Sequence, residues 1–238
     1  GVRLGNASIP SSQAKIPFID NADETPTKLQ RMELDLLRQM NRERLSGIGP
    51  DESLEARINS FELAFRMQSE APQLQDISGE SQAIQALYGL DNPETENFGR
   101  QCLMARRFVE RGVRFVQCSH SYKWDQHTGL KKGHSKNALE VDRPIAGLLT
   151  DLKAHGLLDD TLVMWGGEFG RTPVAEQDDG HNHNPQGFSM WLAGGGVKPG
   201  LVHGATDDYG YYATEDKVHV HDLHATLLHL LGLDHLRL

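Results

Sequence analysis

The chain has 238 residues, 38% of them hydrophobic and 24% charged, the balance of an ordinary globular domain. Its formal net charge is -9, and no basic stripe with interleaved aromatics occurs, which argues against a nucleic-acid partner. No apolar run approaches the ~20 residues that a membrane span needs.

Residues 1–24 read as irregular, with Pro10 and Pro17 among polar neighbours. The opening "GVRLGNASIP" holds no signal peptide and reads as a chain entered partway, so that absence says nothing about compartment. From Thr25, the residues Leu29, Met32, Leu36, Leu37 and Met40 recur at helical spacing, with Thr25 before Pro26 as the cap. "SGIGPDES" breaks this pattern, and Asp51 can cap a second helix carrying Leu54, Ile58, Phe61 and Phe65. A third helix, residues 81–88, ends at Gly89. Residues 1–94 thus read as an irregular start followed by a helical insertion or lid, with few groups that suggest chemistry.

After Asn92-Pro93 the character changes. "ENFGRQCLMARRFVERG" reads as a helix closing at Gly112, and residues 113–118 as a strand. "SHSYKWDQHTGLKKGHSKN" reads as a long polar loop. "ALEVDRPIAGLLTDLKAHG" is a further helix, with Pro144 near its first turn, where proline is tolerated. Residues 161–165 read as a second strand, 188–192 as a third and 218–220 as a short fourth. "DLHATLLHLLG" is a last helix, capped by Asp222 and stopped by Gly232. Helices alternating with short apolar strands predict an α/β fold: a mostly parallel sheet with helices on both faces. Cys102 and Cys118 are too few for a disulfide scaffold or a cysteine-based zinc ribbon; two buried thiols or a single disulfide both fit.

All 12 histidines fall after residue 119. In parallel-sheet folds ligands gather beyond the carboxyl ends of the strands. The polar clusters fall there: His120, Asp125, His127 and His134 after the first strand, Glu168 and Arg171 after the second. Asp178, Asp179, His181 and His183, in "DDGHNHNP", precede the third. Asp125 and His127, two apart on an extended segment, share one side of the backbone and make either a start for a divalent cation or a surface pair. Glu168 follows two glycines that let the backbone approach a ligand; it could ligate a metal or pair with Arg171 to close the turn. Arg171 could also offer a bidentate fork to an oxyanion. His181 and His183 fit either ligation or a hydrogen-bonded turn before Asn184-Pro185. His221, His224 and His229, on the last helix, read as packing or capping. No Gly-x-Ser-x-Gly elbow occurs, no Ser, Thr or Cys sits in a nucleophile context, and "AGGGVKPG" precedes no helix that could cradle phosphate.

The ordered motifs "WDQH", "WGGEFGRTP", "HNP" and "HGATD" resemble a sulfatase-like bacterial family labelled domain of unknown function 1501. With "VHVHDLHATLLHLLGLD" they are similar to the wider alkaline phosphatase and sulfatase superfamily. The resemblance covers residues 100–238 well and the helical front part loosely. It implies that residues 95–238 are the carboxyl-terminal part of a sulfatase-like α/β domain that hydrolyses phosphate or sulfate esters of a small molecule or carbohydrate with one or two divalent metals. Asp125 and His127 would match the first ligand pair, Glu168 the aspartate of the Asp-His-Gly motif, and His183, with His181 as the alternative, the final histidine. Arg171 would steady the ester's oxyanion. Imidazole-rich ligands point to zinc or manganese, and the kinship to calcium. The resemblance also implies an extracytoplasmic location, periplasmic or secreted. Phe169 stands where phosphatases keep a histidine, and the family's nucleophile would lie upstream of this stretch. Those departures give a second reading, a non-catalytic metal- or carbohydrate-binding protein of the same family.

Overall fold

The structure, a computed structural model, describes residues 2–3, 25–120 and 123–237; the irregular start read at residues 1–24 lies almost wholly outside them. In chain order, β1 (Val2–Arg3) is followed by α1 (Thr27–Ile48), α2 (Glu52–Gln75), α3 (Gln82–Leu87) and α4 (Glu96–Glu110). Then come β2 (Val116–Gln117), α5 (Leu130–Ala154), β3 (Val163–Trp165), β4 (Gly170–Glu176) and β5 (Gly180–Asn184). β6 (Trp191–Ala193), β7 (Ala205–Thr206), β8 (Ala213–Glu215) and α6 (Val220–Leu230) complete the order.

The sequence led to a mostly parallel sheet with helices on both faces, and the architecture differs. The described strands form four two-stranded pairs: β3–β6, β4–β5 and β7–β8 are antiparallel, and only the two-residue β1–β2 pair is parallel. This is not an alkaline phosphatase-like sheet. The physical reason is length and burial. The apolar run after Thr161 pairs over three residues and then meets Gly166-Gly167, and its partner β6 runs straight into Gly194. No residue of β3 or β6 is fully buried, whereas α4 buries Phe98, Cys102, Leu103, Met104 and Phe108. The apolar surface is therefore hidden by helix against helix, not by helices on a sheet.

Other boundaries move for local reasons. α5 begins at Leu130, so half of the expected polar loop is helical and Pro144 lies in mid-helix, not near a first turn. Residues 218–220 form no strand; the chain there enters α6, where the Asp222 carboxylate accepts the His219 amide at 2.8 Å. Asp51 and Ser81 cap α2 and α3 through Leu54 and Ile84 amides, as their side chains favour.

The core lies where α4 crosses α5. Ala71, Leu74, Ile77 and Tyr88 pack with Phe98, Leu103, Met104, Phe108 and Val141, so it draws on both sides of residue 94. Inside it, Asp151 accepts the Tyr88 hydroxyl at 2.8 Å and Arg106 Nε at 2.9 Å, and Arg106 reaches Glu80 at 2.9 Å. Ions so placed are tolerable only when fully partnered. α1 and α2 form a hairpin clasped by Arg31 and Arg38 on Glu62, and α1 itself buries no residue. Both cysteines are free; a hydrogen bond with Cys118 and burial push the Cys102 thiol up.

Candidate metal centre

The segment between β2 and α5 brings Trp124, Asp125, Gln126 and His127 to the hairpin made by β4 and β5. Buried Asn137 of α5 donates to the Lys123 carbonyl from one side. From the other side the His181 amide donates to the Gln126 carbonyl at 3.1 Å. Gly180 makes this approach feasible: a Cβ there would stand 1.7 Å from the His127 carbonyl oxygen. Across the hairpin, Arg171 is the register partner of His183, so both side chains rise on one face.

These constraints gather three groups around one carboxylate oxygen. Asp125 Oδ1 lies 2.7 Å from Arg171 Nη1, 3.0 Å from His183 Nε2 and 3.1 Å from His127 Nε2. The ligating atoms of Asp125, His127 and His183 all lie within 4.8 Å of one another. Ligands about 2.0–2.1 Å from a tetrahedral cation stand about 3.4 Å apart, close to this spacing. The far nitrogen of His127 meets Glu176 Oε2 at 2.8 Å, the carboxylate–imidazole arrangement typical of metal-ligating histidines. Phe169 lies against His183 with ring centroids 4.3 Å apart, and the Arg171 guanidinium sits 5.6 Å from the Phe169 centroid.

The electrostatics follow from these contacts. His183 and Arg171 hold the Asp125 carboxyl down to about 2. The hydrogen bond that His127 donates to Glu176, with Asp125 adding charge, raises His127 above the ordinary imidazole value.

A second cluster adjoins the first through Trp124. Its indole Nε1 donates to His120 Nδ1 at 2.9 Å, and His120 Nε2 meets Glu140 Oε2 at 2.8 Å. An indole N–H only donates, so His120 Nδ1 is bare and Nε2 carries the proton to Glu140. Burial lowers the His120 pKa against the pull of Glu140, in keeping with that neutral ring. His134 packs on the same indole at 5.5 Å.

Of the residues singled out by sequence, Asp125, His127, His183 and Arg171 meet. Glu168 does not join them: it is exposed after β3, and Arg171 pairs with Asp125 instead. His181 is turned away because the register shifts between Arg171 and Ala175, which brings its Nδ1 to the Thr172 carbonyl. His120 and His134 hold Trp124 and stay outside the ligand cluster. Glu176 was not singled out by sequence; the three-residue turn at 177–179 pairs it with Gly180 and so sets it beside the cluster.

No curated protein and no solved structure matches the chain. A family model described as "Protein of unknown function (DUF1501)" matches residues 2–238, a span that includes every residue of the cluster. The chain therefore belongs to the DUF1501 family.

Proposed function

We propose that Asp125, His127 and His183 hold a divalent cation and that the site hydrolyses phosphate or sulfate esters. The observation that carries this reading is the convergence of two imidazole nitrogens and a guanidinium on Asp125 Oδ1, at 3.0, 3.1 and 2.7 Å. Two imidazoles and one carboxylate suit zinc or manganese better than calcium, which takes six to eight oxygens. When bound, such a cation supplies Lewis acidity toward an ester oxygen and toward water. Glu176 keeps the His127 proton on Nδ1 and so offers the Nε2 lone pair to the site. Phe169 braces His183 without ligating, which leaves three ligands among the described residues and an open position. Arg171 holds a planar fork beside that position, suited to an anionic ester oxygen. The order of the motifs around these residues supports a sulfatase-like chemistry, and an extracytoplasmic location goes with it; the sheet architecture forms no part of the reading.

Calorimetric titration with zinc, manganese and calcium, paired with turnover of 4-nitrophenyl phosphate and 4-nitrophenyl sulfate, tests it. Zinc or manganese is expected to bind, one ester is expected to turn over, and Asp125→Ala and His183→Ala are each expected to abolish both. Metal uptake without turnover of either ester would favour the second reading, a non-catalytic metal-binding protein. The placement of Glu168 outside the cluster and the Phe169 brace favour that alternative.

A further inference from the structure

All three tryptophans of the chain, Trp124, Trp165 and Trp191, line one open groove of about 620 Å³. That volume is within the range of small-ligand sites. The convergence has structural causes. Trp165 and Trp191 are register partners across β3–β6. Trp124 is steered to them by the His120 hydrogen bond and meets Trp165 edge to face, centroids 6.1 Å apart and planes at 83°. The Trp124 N–H is already used, so what that ring offers the groove is carbon surface. Asn92 and the exposed Asp142 and Arg143 add a polar edge to its lining. Asp142 is exposed and has no side-chain partner among the described residues, while Arg143 is held by Asp91 at 2.9 Å.

This chemistry selects its ligand. Two rings at nearly a right angle make a corner, so a flat aromatic has no parallel-sided slot to enter. A purely apolar ligand would leave the Asp142 carboxylate unused. A pyranose carries a carbon–hydrogen face that rests on indole and hydroxyls that meet such an edge. We infer that the tryptophan groove binds the sugar rings of a glycan. The backbone ties the groove to the metal cluster: Trp124 precedes Asp125, and Trp165 is four residues before Phe169, the brace of His183. On the hydrolase reading, on which this extension rests, the bound glycan carries the ester and the groove aligns it.

The test uses the chain stripped of metal by a chelator. Cellohexaose, xylohexaose, mannohexaose and chitohexaose are titrated separately while tryptophan emission and heat are followed. One of them is expected to shift the emission. Trp191→Ala should weaken that binding at least tenfold. Asp142→Ala, on the exposed edge, should weaken it severalfold with the thermal midpoint unchanged, which guards against a merely misfolded tryptophan variant. The inference fails if no oligosaccharide moves the emission, if both groove variants bind like the parent, or if the emission follows protein concentration instead, the mark of a second copy covering the groove. Sugar binding without metal uptake would sink the hydrolase reading alone and uphold the groove; metal uptake and ester turnover without sugar binding would do the reverse.

Discussion

Two arginine–aspartate centres in this chain have almost the same length and opposite surroundings. Arg106 and Asp151 are 2.9 Å apart with side chains 5% and 2% exposed; Arg171 and Asp125 are 2.7 Å apart and 22% and 51% exposed. In the first, Tyr88, Arg106 and the His155 ring all donate to Asp151, and Glu80 and Glu110 occupy the other guanidinium nitrogens. No place is left for a guest. In the second, two imidazoles share the carboxylate with the arginine, and water reaches all of them. Coulomb energy is large where water is absent and small where it is present, so the buried pair holds α4 to α5 and the exposed pair is free to exchange partners. Nearly equal distances thus serve opposite ends.

Breaking the buried centre should have the largest effect. Asp151→Ala leaves Arg106 charged, dry and short of a partner, and about 3–5 kcal/mol of stability is expected to go. Urea unfolding checks this; a loss under ~1 kcal/mol would show that the helix crossing does not depend on the pair. Gly180→Ala comes next. Its Cβ would collide with the His127 carbonyl, so the loop and hairpin must separate, at about 1–3 kcal/mol. The two variants should differ in kind. Asp151→Ala lowers the whole unfolding transition, whereas Gly180→Ala should keep the helical core and lose zinc binding. Retained zinc affinity in Gly180→Ala would mean that the loop reaches the hairpin by another route.

The helical half of this comparison was legible and the strand half was not. Capping at Asp51 and the helical run closing at Gly112 are local signals that act over one or two turns, and tertiary contacts did not override them. The run ending at Trp165 is too short to announce its partner. Its neighbour is β6, antiparallel and 26 residues downstream by the Trp165–Trp191 register, a contact no periodicity encodes. The residue types of the site were visible as a surplus of histidines and an Asp-x-His step. Their grouping was not, because it depends on the β4–β5 hairpin and its irregular register rather than on the ends of a parallel sheet. Glu176 escaped notice because 49 positions separate it from His127.

Glu176→Gln sharpens the exposed side of the comparison. It removes the charge that supports His127 and is expected to weaken zinc about 10–100-fold. It should also move the pH profile. His127 is raised chiefly by Glu176, so its proton competes with a cation up to a pH above the ordinary imidazole value of 6.5. Metal affinity in the parent should therefore fall as pH drops through that raised value. In Glu176→Gln the fall should begin at lower pH, although the affinity above it is weaker. The same pH profile in both proteins would remove Glu176 from the site.

The smallest effect belongs to Asp125 itself, when stability rather than binding is measured. Its folded carboxyl is depressed to about 2, below the unfolded value, so its contribution is present above the unfolded pKa and lost as pH falls through about 2. Water and salt screen a half-exposed carboxylate, so that contribution stays under ~1 kcal/mol. For a chain of this size that is a thermal shift of at most about 4 °C. Asp125→Asn, measured at pH 6 without metal, should therefore unfold within that margin of the parent, and the difference should shrink further in 1 M salt, where charges are screened beyond about 3 Å. The same substitution should abolish zinc uptake. A protein that unfolds as readily with Asp125→Asn as with Asp151→Ala would place both carboxylates in the service of the fold, and the exposed centre would lose its claim to be a site.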